Sequence, residues 1–256
     1  ETIICYDKAL EINPRDAEAW YNKGDALNNL GKHNEAIPCY DKALEINPRD
    51  AGAWYNKGNA LNNLGKHNSA IVCYDKALEI NPSDVEAWYN KGVILDKLGK
   101  HNSAIVCYDK ALKINPMDAK AWNNKGLALD KLGKINDAIT CYDKTLEINP
   151  RDAEAWLNKG ATLAKLGRPN EAIPCYDKAL EINPRLLRHG ITKGMLWFDV
   201  SQGQKVKEFI HQFNGMKEEE SNAPNQTEQT HKTRREPGNF LKGTKGQTFD
   251  ISQTNG

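Results

Sequence analysis

Residues 17–50 read "AEAWYNKGDALNNLGKHNEAIPCYDKALEINPRD", and this unit decides the fold because the chain of 256 residues repeats it. Tryptophan and proline return at the same place in each copy, always 34 residues apart. The tryptophans are Trp20, Trp54, Trp88, Trp122 and Trp156, and the prolines are Pro14, Pro48, Pro82, Pro116, Pro150 and Pro184. Self-similarity at one fixed period is the signature of a repeat architecture.

Each unit contains two segments with helical spacing. In the first half, Trp20, Gly24 and Leu27 fall three or four residues apart, so they share one face of a helix. Ala36 and Tyr40 begin the same pattern in the second half. "LGK" interrupts the run between the halves, and "NPRD" ends the unit because proline cannot continue a helix. The unit is therefore predicted to be a helical hairpin.

A single hairpin of this kind cannot bury both of its apolar stripes, so neighbouring units must stack. Gly24 costs about 1 kcal/mol relative to alanine inside a helix, and its recurrence in every unit therefore predicts a packing reason. We expect Gly24 and Ala36 to mark a close approach of the two helices. The predicted fold class is all-α, an α-solenoid.

The unit resembles the tetratricopeptide repeat, which has the same period. The matching residues of the first full unit are Trp20, Gly24, Leu27, Ala36, Tyr40, Ala43 and Pro48. The resemblance covers residues 1–186. Repeats 1 to 5 are residues 17–50, 51–84, 85–118, 119–152 and 153–186, and residues 1–16 supply the second helix of a truncated repeat. The resemblance implies a right-handed solenoid of antiparallel helix pairs whose first helices line a concave, partner-binding groove.

One position departs consistently from the family pattern. The residue before each repeated glycine is usually apolar, but here it is Lys23, Lys57, Lys91, Lys125 and Lys159. Lysine can lay its methylenes along an apolar surface while its ammonium stays in water. We expect these lysines to lie at the border of the core.

An asparagine follows two residues after each tryptophan and is a candidate for the groove. These residues are Asn22, Asn56, Asn90, Asn124 and Asn158. A side-chain amide both donates and accepts, so a row of amides could hold a peptide backbone. The row is similar to the asparagine ladder of tetratricopeptide domains in O-linked glycosyltransferases. The alternative is that asparagine serves packing between units.

Other groove positions change along the array. The candidates for partner contact are Tyr21, Tyr55, Tyr89, Asn59 and Leu127. Tyrosine is enriched at interfaces because its ring buries area while its hydroxyl keeps a polar partner. The N-terminal half thus offers tyrosines and amides, and the C-terminal half offers apolar surface edged by lysine. The alternative is that these residues are simply solvated.

The predicted function is a non-enzymatic scaffold that binds a protein or peptide segment in the groove. The competing interpretation is an accessory region of an enzyme, such as a glycosyltransferase, whose catalytic domain lies outside this sequence. End-to-end self-association through the uncovered N-terminal helix is a further expectation. With 35 basic and 34 acidic residues intermixed, the charge gives no reason to expect nucleic acid or a membrane as a partner.

No catalytic, metal or cofactor motif is recognised. One cysteine recurs per unit, and stacked helices about 8–10 Å apart exceed the reach of a disulfide. We expect free buried thiols and a reducing, cytoplasmic compartment. His33, His67 and His101 recur in the turn and are expected to be solvated. Asp41 and Glu45 are interpreted as solvated charge rather than a catalytic pair.

The pattern stops after Pro184. Residues 187–214 are expected to be weakly structured and to cover the last repeat in part. Residues 215–256 are polar, with few large apolar side chains, and are expected to be disordered.

We expect a single-base deletion to explain the change of pattern. When one T is removed from a synonymous coding string for "LAEAWNNKGNAL", the new frame reads "LLRHGITKGML", the sequence of residues 186–196, and Trp197 follows. Sequencing of the encoding DNA tests this hypothesis. Codons for residues 186–197 that cannot be read as such a shifted string would exclude it.

Overall fold

A computed structural model describes residues 2–185 of the chain, and the eleven elements found there are all α-helices. The first helices of repeats 1 to 5 are α2 (Ala17–Asn29), α4 (Ala51–Asn63), α6 (Val85–Lys97), α8 (Ala119–Lys131) and α10 (Ala153–Lys165). The second helices are α3 (His33–Ile46), α5 (His67–Ile80), α7 (His101–Ile114), α9 (Ile135–Ile148) and α11 (Pro169–Ile182), and α1 (Thr2–Ile12) precedes them. The expectations for residues 187–256 concern a part of the chain that lies outside the described residues.

Local chemistry sets the ends of each first helix. The Asp16 side chain accepts the backbone N–H of Ala19 at 3.0 Å, which satisfies a helix-terminal donor. At the other end, Gly31 adopts a φ of +74°, a conformation that L side chains rarely take. This allows the Lys32 N–H to donate to the Leu27 carbonyl oxygen at 2.9 Å. The turn residues "LGK" therefore stop the helix as the sequence predicts.

A tyrosine ring fills the notch left by the repeated glycine. A Cβ atom added to Gly24 would lie 2.8 Å from the Tyr40 ring, and the same close approach joins Gly92 to Tyr108. Tyr40 and Ala36 are completely buried. The glycine is thus required for packing inside the hairpin, and its neighbour is the tyrosine ring of the second helix.

Each first helix is also fixed to the preceding repeat. The Trp20 indole N–H donates to the Pro14 carbonyl oxygen at 2.9 Å, and the Lys23 ammonium lies 2.5 Å from a carboxylate oxygen of Asp7. The same ammonium lies 5.3 Å from the centre of the Trp20 ring, within range of a cation–π interaction. We call this tryptophan–lysine arrangement the inter-repeat clamp.

The clamp recurs in every repeat. Its ion pairs are Lys23–Asp7, Lys57–Asp41, Lys91–Asp75, Lys125–Asp109 and Lys159–Asp143. The expectation that these lysines are border residues was incomplete, because each one is about four-fifths buried and bridges two repeats. Asp41 likewise is not merely solvated, while Glu45 pairs with Lys42 on its own helix at 2.7 Å.

Stacking of these hairpins produces the predicted α-solenoid. Within residues 2–185, each helix packs against the next one along the chain. First helices of successive repeats also contact each other: α2 contacts α4, α6 contacts α8, and α8 contacts α10. Second helices make no comparable contact with one another in this region. The Asn90 side chain on α6 also donates to Tyr55 and Asn59 on α4. The first helices therefore lie side by side and form one face, which we call the first-helix face.

The repeated cysteines are free and, with one exception, buried. The buried ones are Cys39, Cys73, Cys107, Cys141 and Cys175, whereas Cys5 on α1 is exposed. Burial raises the pKa of Cys107 and of Cys141 to about 11, because an apolar environment disfavours the thiolate. Since the thiolate is the nucleophile, the buried thiols are doubly protected from alkylation.

We predict that a maleimide added at neutral pH modifies Cys5 rapidly and the five buried cysteines slowly. Mass spectrometry of the intact chain should show one adduct before unfolding and six after unfolding in urea. Rapid addition of several adducts to the folded chain would contradict the packing described here.

Candidate functional site

All ten residues predicted to line the groove lie on first helices, and all of them are half-buried. They are Tyr21, Asn22, Tyr55, Asn56, Asn59, Tyr89, Asn90, Asn124, Leu127 and Asn158. The contacts between them join consecutive repeats. Their arrangement differs between the two halves of the array.

The amides of Asn56 and Asn90 are engaged by the preceding repeat, whereas the Asn22 amide makes no hydrogen bond within residues 2–185. The Asn56 amide donates to the Tyr21 hydroxyl at 3.0 Å and to an Asp25 carboxylate oxygen at 3.3 Å. The Asn90 amide donates to the Tyr55 hydroxyl at 3.0 Å and to the amide oxygen of Asn59 at 3.4 Å. Because an amide nitrogen carries two hydrogens, both donors of each residue are used. Here the asparagine row links repeats, as the packing alternative suggested.

In the C-terminal half, the asparagine amides each make one hydrogen bond instead of two. The Asn124 amide donates to the Tyr89 hydroxyl at 2.9 Å, and the Asn158 amide donates to the amide oxygen of Asn123 at 3.2 Å. The positions that supply the second acceptor in earlier repeats are occupied by Val93 and Leu127. Within the described residues, one amide hydrogen of Asn124 and one of Asn158 therefore have no acceptor.

The tyrosines of the first-helix face are held by both burial and ring packing. The Tyr21 ring packs 6.2 Å, centre to centre, from that of Tyr40, and Tyr55 and Tyr89 have equivalent partners on their second helices. Burial raises the pKa of Tyr55 and of Tyr89, so these hydroxyls stay protonated at neutral pH. The Tyr55 and Tyr89 hydroxyls that accept from the following asparagines are therefore neutral.

Charged side chains form a second row at the ends of the later first helices. The Lys131 ammonium lies 2.6 Å from an Asp96 carboxylate oxygen, and the Lys165 ammonium lies 2.5 Å from Asp130. Lys97 occupies the equivalent place one repeat earlier, but it is exposed and has no carboxylate partner within residues 2–185. The sequence predicted a lysine edge here, but it did not predict that Lys131 and Lys165 pair with aspartates 35 residues earlier in the chain.

The repeated histidines are not simply solvated, which corrects the sequence-based expectation. His33, His67 and His101 are half-buried at the start of second helices. A ring nitrogen of His33 lies 2.7 Å from the Asn28 amide oxygen, and one of His101 lies 2.6 Å from an Asp96 carboxylate oxygen. These contacts fix the side chains of Asn28 and Asp96, which lie near the ends of their first helices.

Among the described residues, no three histidine, cysteine or acidic side chains converge to form a metal site. Nor does any helix there have the length and apolar character needed to span a membrane. Within residues 2–185, the candidate site is therefore the first-helix face.

Comparison with known proteins agrees with this geometry. The tetratricopeptide repeat family matches residues 17–50, 51–84, 85–118, 119–152 and 153–186. No curated protein matches the chain. Repeats of this family are typically non-enzymatic interaction modules, and the matches support a protein-interaction scaffold.

Several solved structures share the fold. YrrB, described as a TPR protein with an unusual peptide-binding site, is 29% identical, with a TM-score of 0.63 over 70% of this chain and 92% of its own. A MamA protein is 26% identical, with a TM-score of 0.63 over 68% of this chain and 94% of its own. MamA from Desulfovibrio magneticus RS-1 shares the fold; it is 24% identical, with a TM-score of 0.63 over 66% of this chain and 96% of its own. The chain belongs to the tetratricopeptide repeat family.

Proposed function

We propose that this protein binds an extended, peptide-like segment of a partner protein along the first-helix face. The observation that carries the proposal is the row of half-buried tyrosine and asparagine side chains, which recurs at the repeat spacing on adjoining helices. The similarity to YrrB, whose description names a peptide-binding site, supports the same conclusion.

The chemistry of the row suits a main chain better than a particular side chain. The Asn56 and Asn90 amides already donate within the array, which leaves their oxygens to accept from a peptide, and Asn124 and Asn158 can donate as well. A peptide backbone offers an N–H and a carbonyl at every residue, so regularly spaced amides can pair with it independently of sequence. Neighbouring tyrosine rings supply apolar area at small entropic cost.

The clamp makes the face rigid before a partner arrives. Because each first helix is fixed to the segment before it by its tryptophan and lysine, and from repeat 2 onward by its asparagine as well, the spacing between successive rows is already set. Preorganised sites lose less conformational freedom on binding. An extended segment can therefore be held by many weak contacts at once.

Photo-crosslinking tests the proposal. Peptides that bind the full chain are first selected from a random display library. A photoreactive residue then replaces, one at a time, Glu18, Asn63 or Glu154 on first helices, and Val72, Val106 or Thr140 on second helices as controls. All six positions are exposed, so the fold should be unaffected.

We predict that selected peptides crosslink mainly from the first-helix positions, because the first helices form the binding face. Tryptic mass spectrometry identifies the linked peptides. Labelling mainly from the second-helix positions, or no saturable labelling at all, would refute the proposed function.

A further inference from the structure

We infer that the partner segment sits on repeats 3 to 5 and combines apolar side chains with carboxylates. This inference rests on the proposed function and specifies its location and ligand chemistry. It concerns the open part of the first-helix face, defined by Val93, Lys97, Asn124, Leu127 and Asn158.

The first argument is the distribution of unused hydrogen-bond donors. Asp25 of repeat 1 and Asn59 of repeat 2 accept the second amide hydrogen of Asn56 and Asn90, the asparagines of the following repeats. Val93 and Leu127 stand at those positions in the open part, so Asn124 and Asn158 each retain a donor. A donor near apolar surface is best satisfied by an acceptor that a ligand brings, and a peptide carbonyl is such an acceptor.

The second argument is the apolar surface beside those donors. Val93 and Leu127 are half-buried against the cores of their own hairpins, so part of each side chain remains accessible. Leu157 and Ala161 continue this surface on α10, where repeats 1 and 2 carry Tyr21, Tyr55 and polar residues. An apolar side chain of the partner would bury area here without covering a charge.

The third argument is an excess positive charge along one edge. Lys97, Lys131 and Lys165 lie at equivalent positions of α6, α8 and α10, but only Asp96 and Asp130 face them. The residue of repeat 2 equivalent to Asp96 is Asn62, whose amide oxygen contacts His67 at 3.1 Å. One cation of this row, Lys97, is therefore uncompensated within the described residues.

The opposite edge of the open part carries two acidic residues and one basic residue. Glu86, Lys120 and Glu154 occupy equivalent positions at the starts of α6, α8 and α10, and none of them forms an ion pair in residues 2–185. A carboxylate on the partner is consequently favoured toward Lys97 and disfavoured toward Glu86 and Glu154. The segment should lie with its acidic side chains along the lysine row.

Repeats 1 and 2 are less suited to the same ligand. In repeat 2, both donors of Asn56 are already used. In repeats 1 and 2, Glu18 and Asp25 are acidic, Asn59 is polar, and the first-helix face has no lysine apart from those in the clamp. These differences favour binding of the acidic, apolar segment to repeats 3 to 5.

Fluorescence anisotropy with the full chain tests the inference. The probe is a labelled peptide of alternating Leu-Glu-Ser units, capped at both ends so that it has no terminal carboxylate. Two comparison peptides replace Glu by Lys or Leu by Ser. The variants are Val93→Asn combined with Leu127→Asn, which installs the Asn59 arrangement, and Lys97→Asn, which installs the residue of repeats 1 and 2.

We expect both variants to bind the Leu-Glu-Ser probe about tenfold more weakly than the unsubstituted chain, and both comparison peptides to bind weakly. Matched controls on the exposed surface of α7, Val106→Asn and Lys110→Asn, should bind the probe normally. Lys97 is exposed, so its substitution is expected to leave the fold intact. Helicity measured by circular dichroism checks that the double variant is folded.

The inference would be overturned if the probe failed to bind, if the lysine-containing peptide bound equally well, or if Lys97→Asn left affinity unchanged. Those results would leave the proposed function standing whenever selected peptides still crosslink to first helices, for example in repeats 1 and 2. Absence of crosslinking at every first-helix position would instead remove the proposed function.

Discussion

The structure depends on the clamp that fixes each first helix to the repeat before it. A tryptophan indole donates to the carbonyl oxygen of the preceding proline at 2.9–3.0 Å, and a lysine under the same ring pairs with an aspartate of the preceding second helix. Since a single hairpin cannot bury its own apolar stripes, neighbouring repeats must stack, and the clamp fixes the position in which they do so. It also fixes the spacing of everything displayed on the first-helix face.

On that fixed frame, a few substitutions change what the face can bind. Where Asp25 or Asn59 is present, the asparagine of the next repeat is fully used between repeats. Where Val93 or Leu127 replaces them, the same asparagine keeps a donor beside apolar surface. Repeats that differ little in packing can therefore differ in recognition. The second amide hydrogen is paired at Asn56 and Asn90 and unpaired at Asn124 and Asn158 within the described residues.

Much of the fold could be predicted from sequence because its determinants are local or periodic. Trp20, Gly24 and Tyr40 recur at helical spacings, so the helices, their boundaries and their stacking follow from the pattern. The roles of Lys23 and His33 could not be predicted, because their partners, Asp7 and Asn28, are set by how helices cross. The asparagine row was recognised, but its saturation in one half was not, since its acceptors lie 31 or 35 residues away.

A double-mutant cycle on one clamp tests the account most directly. Lys125 lies 2.6 Å from Asp109 and is about four-fifths buried, whereas Lys144 and Glu147 form an exposed pair on a single helix. Urea unfolding of Lys125→Met, Asp109→Asn and the combined variant should give a coupling energy of about 1 kcal/mol, clearly above that of the exposed pair. A coupling between Lys125 and Asp109 no larger than that between Lys144 and Glu147 would contradict the claim that the clamp holds the repeats together.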